Sequence, residues 1–245
     1  MRSDGRMADQ HRPVTVIRQY TRTAPGSVLI EMGGTRVLCT ASVEAKVPPF
    51  LEGKGKGWLT AEYNMLPGST SPRKPRDRSG KVDGRSVEIQ RLIGRSLRNI
   101  VRLDRLGENT LWIDCDVIDA DGGTRTASIT GAFVALVDAI RNSPLAERAT
   151  EILTDSVAAI SVGVIDHEVR LDLDYGEDSV AGVDMNLVMT GAGKFIEVQG
   201  TGETVPFSGE QLEGMLRVGK AGISSLTEIQ RVALGEAWPI FTTPT

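Results

Sequence analysis

The chain has 245 residues, of which 40% are hydrophobic and 24% are charged, a composition typical of a folded globular protein rather than a disordered one. No apolar run reaches membrane-spanning length and the first ten residues carry charges of both signs, so we expect no membrane span, no secretory signal and a cytoplasmic location. The formal net charge of −4 gives no general attraction to nucleic acid, so any basic surface has to be local.

Cysteine and histidine are scarce in this sequence. The two cysteines, Cys39 and Cys115, each lie alone in an apolar, strand-like stretch, so we expect buried free thiols. The two histidines, His11 and His167, do not readily supply a zinc site or a histidine-dependent triad. Any chemistry therefore has to come from arginine, aspartate, lysine or backbone groups.

Four strands are expected in the first 65 residues, where apolar runs lie between glycine- and proline-rich turns. The runs cover residues 14–17, 27–31, 36–43 and 58–63, and they resemble an antiparallel meander. The segment Gly53-Lys-Gly-Lys-Gly57 is expected to be a mobile connecting loop. It is either a hairpin tip or a contact for a polyanion.

A long loop is expected from Leu66 to Gly84, because three prolines interrupt it and it has no apolar period. Between Arg73 and Arg85 the chain carries six basic and two acidic residues, a local charge of +4. Long irregular segments in compact domains are usually functional or disordered. The arginines of this loop are therefore candidates for a functional role, and the alternative is a solvated charged loop.

Helical and strand periods alternate after this loop. Apolar residues from Ile89 to Val101 recur at helical spacing, and those from Ile129 to Ile140 do so again. Between these helices, residues 111–117 alternate like a strand that turns Asp114 and Asp116 away from its buried face.

The second half of the chain repeats this order of strands and helices. Strands are expected at residues 158–165, 169–173, 183–189 and 195–198, and a final helix begins at Ser208, whose spacing to Gln211 is that of a capping box. We predict an α+β fold with helices packed on mixed sheets, as a single domain 1–245 of two β-α halves, roughly 1–145 and 150–245. No repeat at the level of single residues proves a duplication.

The turn from Asp121 to Ser128 is a candidate anion site. Its glycines precede a helix whose first N–H groups and dipole attract negative charge. Arg125 falls in the first helical turn, where its planar fork can bind phosphate through two hydrogen bonds, and Arg85 at the start of the preceding helix is a second candidate. The alternatives are an ordinary capped helix and an arginine that merely ends the basic loop.

Asp178 and Asp184 are candidate ligands of Mg²⁺. Asp178 lies in a turn-like segment, and Asp184 shares the polar face of the 183–189 strand with Asn186. One or two carboxylates with water and substrate phosphate form a common Mg²⁺ site, although ordinary surface acids would have the same spacing. Phosphate-binding arginines, a carboxylate pair and a basic loop are together the groups that phosphoryl transfer needs.

Longer motifs make the interpretation specific. In their order, and nearly from end to end, these stretches resemble the bacterial ribonuclease PH family: Asp4-Gly-Arg6, Ser42-Val-Glu44, Pro48-Pro-Phe50, Gly57-Trp58 to Leu66-Pro67, Glu88-Ile-Gln-Arg-Leu-Ile-Gly-Arg95, Asp114-Cys-Asp116, Asp121-Gly-Gly-Thr-Arg-Thr-Ala-Ser128, Asp184-Met-Asn186 and Gln199-Gly-Thr-Gly202.

This resemblance implies a ribonuclease PH-like fold and a reversible, phosphorolytic 3′-to-5′ exoribonuclease. Such an enzyme trims tRNA precursors and other structured RNA with inorganic phosphate and releases nucleoside 5′-diphosphates. The resemblance also implies the following roles: phosphate binding by Arg85, Gly123, Thr124 and Arg125, catalysis by Arg125, Asp178 and Asp184, and association of Asp178 and Asp184 with Mg²⁺.

The resemblance further implies a homohexamer, a trimer of dimers. Its basic loop, with Arg73, Arg76 and Arg78, would face a central opening where tRNA docks. Two alternatives stay open, a noncatalytic RNA-binding ring subunit and a hydrolytic metal-dependent nuclease that releases monophosphates. Retention of Arg85, Arg125, Asp178 and Asp184 argues against the noncatalytic subunit.

Overall fold

The first sheet contains the five strands of the amino-terminal half, in the order β1-β2-β3-β5-β4. A computed structural model describes residues 2–76, 83–239 and 241. The strands are β1 (Val14–Arg18), β2 (Gly26–Met32), β3 (Thr35–Glu44), β4 (Trp58–Met65) and β5 (Thr110–Asp119). All five expected strands of this half are confirmed.

The predicted meander is correct for three strands and wrong for the fourth. Strands β1 to β3 are antiparallel neighbours, but β5 lies between β3 and β4 and runs parallel to β4. The physical reason is the helix α1 (Gly84–Arg98) between β4 and β5, since a crossover helix lets the chain return in the same direction. The carboxyl ends of β4 and β5 therefore lie at one edge of the sheet, and the basic loop and the glycine turn both begin there.

Helix α1 is shorter than its apolar stripe. It ends at Arg98, with Asn99 as its carboxyl cap, whereas the periodic residues continue to Val101. Val101 is buried in the core all the same, and its backbone forms an isolated bridge with Leu153. Within the expected loop, Pro67–Ser69 form one 3₁₀ turn, and the described remainder up to Arg76 is irregular as predicted.

Helix α2 (Thr124–Arg141) is the centre of the core. It contacts β2 and β3 of the first sheet and β6 (Val157–Ile165) of the second, and nearly all of its residues are buried. The packing is close enough that a Cβ atom at Gly26 would lie 1.9 Å from the carbonyl oxygen of Ala135. Helix α2 is consequently held in place by its contacts with both sheets.

The second sheet has the order β7-β6-β8-β9 and is wholly antiparallel, where a mixed sheet was expected. It contains β7 (Glu168–Leu171), β8 (Val183–Thr190) and β9 (Phe195–Gly202) beside β6, with the short helices α3 (Ala149–Ile152) and α4 (Tyr175–Asp178) in its connections. Helix α5 (Gly209–Leu234) packs on it, and the predicted capping box of Ser208 is present. The α+β class is confirmed.

Two further sequence expectations concern the core and the membrane. Cys39 and Cys115 are buried free thiols with their Sγ atoms 3.9 Å apart, as opposed residues of β3 and β5. Among the described residues, no helix is both long and apolar enough to cross a bilayer.

Substitution of Gly26 by a larger residue should cause a large loss of stability. Gly26→Ala should lower the free energy of unfolding by about 2–3 kcal/mol, because the added methyl group overlaps backbone atoms that cannot move independently of α2. Denaturant unfolding measures this. Gly209→Ala is the control, since its Cβ would meet nothing within 4 Å, and an equal loss in both variants would contradict the packing argument.

Candidate active site

One cleft of about 330 Å³ collects six residues predicted from the sequence. Its lining includes Arg85, Gly123, Thr124, Arg125, Asp178 and Asp184. These residues come from the starts of α1 and α2, from α4 and from the beginning of β8. The predicted phosphate-binding and carboxylate residues therefore share one cavity, although they lie as many as 99 positions apart in the sequence.

The turn before α2 depends on its glycines. Gly122 and Gly123 have φ of 75° and 64°, in the left-handed region that favours glycine. A Cβ atom at Gly122 would lie 2.5 Å from the carbonyl oxygen of Leu173. Within the described chain no side chain caps α2, so the first amides of the helix are available to an anion in the cleft.

Tyr63 supports this turn and was missed by the sequence reasoning. Its hydroxyl lies 2.8 Å from the Thr124 hydroxyl, and both groups are buried. Burial raises the pKa of Tyr63, so the phenol stays protonated at neutral pH and remains a hydrogen-bonding partner. Its place on the buried face of β4 was a visible signal, but the alternating pattern does not reveal which residue it contacts.

The two arginines reach the cleft from two helix starts. Arg85 is the second residue of α1, and its backbone N–H donates to the capping residue Asp83 at 3.3 Å. Arg125 is the second residue of α2, and its Nη1 donates to Gln199 Oε1 at 3.0 Å. Both guanidinium groups favour ionised Asp178, so their positive fields act on the carboxylates of the same cleft.

Asp178 and Asp184 form an electrostatically strained pair. Burial, followed by repulsion from Asp178, raises the pKa of Asp184 to about 6, against the opposing effects of Arg125 and Asn186. Burial also raises the pKa of Asp178, and Glu203 adds to this shift. The carboxylates thus have more negative charge than their surroundings offset, which is an environment that attracts a cation.

The donor set of the cleft fits a hard divalent cation. Asp178 and Asp184 offer carboxylate oxygens, and Ser161 and Asn186 line the same wall. The described residues contain no cluster of three or more histidine, cysteine, aspartate or glutamate side chains able to hold a metal. A cation here would therefore take its remaining ligands from water or substrate, as Mg²⁺ commonly does.

A buried ion pair joins the two halves of the chain beneath the cleft. Arg12 donates from Nε and Nη2 to the two carboxylate oxygens of Asp172 at 2.9 and 2.7 Å, and its Nη1 donates to the carbonyl oxygen of Asp121. Burial raises the pKa of Asp172, but Arg12 outweighs it and the pKa is lowered. The pair links the α2 turn to the segment before α4, and sequence reasoning did not find it.

The basic loop lies outside the cleft. Arg73 and Arg76 are exposed and have no ion-pair partner within the described chain, whereas Lys74 pairs with Asp83 at 2.9 Å. Arg78 lies outside the described residues. The loop follows β4 and so begins at the same sheet edge as the cleft.

A helix start, two arginines and a carboxylate pair in one cleft are the groups of an enzyme that handles phosphate esters. Residues 10–141 match domain 1, and residues 155–222 match domain 2, of the family described as the 3′ exoribonuclease family. The chain belongs to this family.

Two relatives carry the name ribonuclease PH. The protein of Rhodopirellula baltica is 61% identical over 232 residues, which are 92% of this chain and 94% of the relative. The protein of Geobacillus sp. is 56% identical over 239 residues, 96% of this chain and 94% of the relative. The resemblance to ribonuclease PH that the motifs indicated is confirmed.

Solved structures share the fold. Rice (Oryza sativa) Rrp46 has a TM-score of 0.77 at 23% identity and covers 95% of this chain and 100% of its own. The Archaeoglobus fulgidus exosome with RNA bound to its active site also has a TM-score of 0.77, at 22% identity, with coverage of 93% and 91%.

The strained carboxylate pair predicts a stability gain on neutralisation. The pKa of Asp184 is raised from 3.8 to about 6. The charged carboxylate therefore destabilises the folded state. This loss of stability is small below pH 3.8 and reaches about 3 kcal/mol above pH 6. In a chelating buffer, Asp184→Asn should therefore stabilise the fold more at about pH 8 than at about pH 5. Thermal unfolding at the two pH values measures the difference. A gain that is equal at both, or absent, would contradict the assigned strain.

Proposed function

We propose that this chain is a phosphorolytic 3′-to-5′ exoribonuclease. An oxygen of inorganic phosphate attacks the last phosphodiester phosphorus of RNA, the bond to the preceding 3′ oxygen breaks, and a nucleoside 5′-diphosphate leaves. One observation carries this proposal: the uncapped start of α2, two arginines and two carboxylates line a single cleft. Membership of the 3′ exoribonuclease family and similarity to proteins named ribonuclease PH support the reaction and its substrate.

In this proposal the phosphate lies against α2. The amides at Gly123, Thr124 and Arg125 donate to it, and the guanidinium groups of Arg85 and Arg125 offset its charge. Phosphoryl transfer needs little covalent chemistry from the protein, so the rate arises from holding attacking and leaving oxygens in line and from offsetting charge. No nucleophilic side chain is required.

Asp178 and Asp184 would hold Mg²⁺ in the cleft. The bound ion would offset charge on the transferred phosphoryl group and on the departing oxygen. The two aspartates orient it next to the phosphate-binding turn, and Asn186 Nδ2 holds the Asp184 carboxylate at 3.3 Å. The uncompensated charge of the pair supports this assignment.

The proposed substrates are tRNA precursors and other structured RNA with free 3′ ends. Arg73 and Arg76, with Arg78 beyond the described residues, would contact phosphates of the RNA body, and the exposed position of the first two supports this. We propose a homohexamer, a trimer of dimers, with these loops around a central opening. Similarity to solved archaeal exosome structures supports an assembled state. The cytoplasmic location stays a prediction from the sequence.

Two other functions are less well supported by the site. A noncatalytic RNA-binding subunit has no need for the strained carboxylate pair. A hydrolytic nuclease could use the carboxylates with a metal, but it would not need two arginines around an uncapped helix start. The identity of the released nucleotide separates all three.

Incubation with short RNA, Mg²⁺ and inorganic phosphate should release nucleoside diphosphates in proportion to the phosphate supplied. Arg125→Ala should lower turnover by about two to three orders of magnitude, by analogy with loss of one preorganised donor from an oxyanion site. Chromatography of the products checks both results. Release of monophosphates, or near-normal phosphorolysis by the variant at modest phosphate concentration, would refute the proposal.

The basic loop predicts salt-dependent binding of RNA. Replacing Arg73 and Arg76 together by alanine should weaken binding of a tRNA precursor and reduce the slope of log K against log salt by about 1.5, because two fewer phosphates are neutralised. Filter binding across a salt series measures the slope. The control is replacement of Arg141 and Arg217 together by alanine, since both are exposed, on α2 and α5. An unchanged slope in the loop variant would show that the loop does not contact RNA phosphates.

A further inference from the structure

Two hydrogen bonds and one ion pair form a closed triangle at one edge of the Arg125 guanidinium. Arg125 Nη1 donates to Gln199 Oε1 at 3.0 Å, Gln199 Nε2 donates to Glu88 Oε1 at 3.2 Å, and Arg125 Nη1 lies 3.5 Å from the same Glu88 oxygen. The three residues belong to α2, β9 and α1. Glu88 and Gln199 do not line the cleft that holds the phosphate-binding residues, so they act behind it.

The chemistry of the triangle fixes the orientation of Gln199. A primary amide has an acceptor end and a donor end, and here the oxygen faces a cation while the nitrogen faces a carboxylate. The reverse orientation would place donor against donor and acceptor against acceptor. Gln199 is therefore held by both partners in the one arrangement that engages Arg125 Nη1.

This arrangement leaves the opposite edge of the guanidinium available. Among the described residues, Arg125 Nε and Nη2 have no hydrogen-bond partner, and these two donors form the edge that can bind an oxyanion through two parallel bonds. The Arg125 side chain is only 15% exposed. Fixing a long arginine side chain before the anion arrives lowers the conformational entropy lost on binding.

We infer that Gln199, held by Glu88, positions the Arg125 guanidinium for inorganic phosphate. Gln199 and Glu88 are positioning residues in this assignment, since neither touches the reacting groups. The inference rests on the proposed function, because it takes Arg125 to be a phosphate-binding residue. It adds that phosphate affinity is set partly by a side chain of β9, which belongs to the second half of the chain.

The chain offers a matched control on the same two elements. Glu197 lies two residues before Gln199 on β9, and it accepts from Arg95 Nε on α1 at 2.8 Å. Arg95 lies seven residues after Glu88, so both pairs join the same helix to the same strand. Loss of the Glu197 contact disturbs the docking of α1 on β9 without removing a partner of Arg125.

The test compares Gln199→Met with Glu197→Gln in steady-state phosphorolysis of a short RNA. Gln199→Met should raise the KM for phosphate about tenfold, as expected for loss of a hydrogen bond to a charged group, and should leave the KM for RNA within about twofold. It should weaken by a similar factor the binding of inorganic phosphate measured by calorimetry without RNA. Glu197→Gln should leave both phosphate measurements near wild type.

A variant at Glu88 separates the effect of the hydrogen bond to Gln199 from the effect of the Glu88 charge on phosphate binding. Glu88→Gln keeps an oxygen that can accept from Gln199 and removes the negative charge, so its KM for phosphate should equal or fall below that of wild type.

A wild-type phosphate KM in Gln199→Met, an equal rise in Glu197→Gln, or an equal rise in Glu88→Gln would each overturn the assignment. If wild-type enzyme degrades RNA without phosphate, the proposed function itself fails; if it is phosphate-dependent and Gln199→Met is normal, only this inference fails.

Discussion

The uncapped amino terminus of α2 is the constraint on which the site depends. The helix is buried between two sheets, and its first turn opens into the cleft with no capping side chain from the described part of the chain. The first N–H groups of a helix have no partner within the helix, and the positive end of the helix dipole also attracts negative charge. An anion satisfies both requirements, and the arginines at 85 and 125 border the same space.

Positive and negative groups lie in the same cleft because a buried ion pair holds the turn before α2 against the segment that leads to Asp178. Arg12 and Asp172 form a buried pair that also engages the carbonyl of Asp121, so the turn before α2 and the segment leading to Asp178 are held together. Burial and, after it, repulsion from Asp178 raise the pKa of Asp184 to about 6, so holding the two carboxylates in this cleft costs the fold stability. The fold thus maintains an unfavourable carboxylate pair beside a favourable anion site, an arrangement that suits a metal-assisted reaction of phosphate.

Local periodicity was enough to predict the strands, the three long helices and the capping box at Ser208, because apolar spacing and capping chemistry depend on neighbouring residues. The position of β5 between β3 and β4 could not be predicted this way, since periodicity carries no information on strand order. The six cleft residues were found through anion and metal chemistry together with the longer motifs. The residues that hold the cleft residues in place were not found from the sequence. Tyr63, Asp172 and Gln199 contact partners that lie 61 to 160 residues away along the chain. The boundary expected between the two halves, near residues 145–150, stays a prediction.

Free orthophosphate should bind between the two guanidinium groups and the first turn of α2. A crystal structure of the protein equilibrated with phosphate would show whether it does. We expect a phosphate with oxygens about 3 Å from Arg85, Arg125 and the amides that begin the helix. Phosphate found only at other positions, with this end of α2 left to solvent, would contradict it.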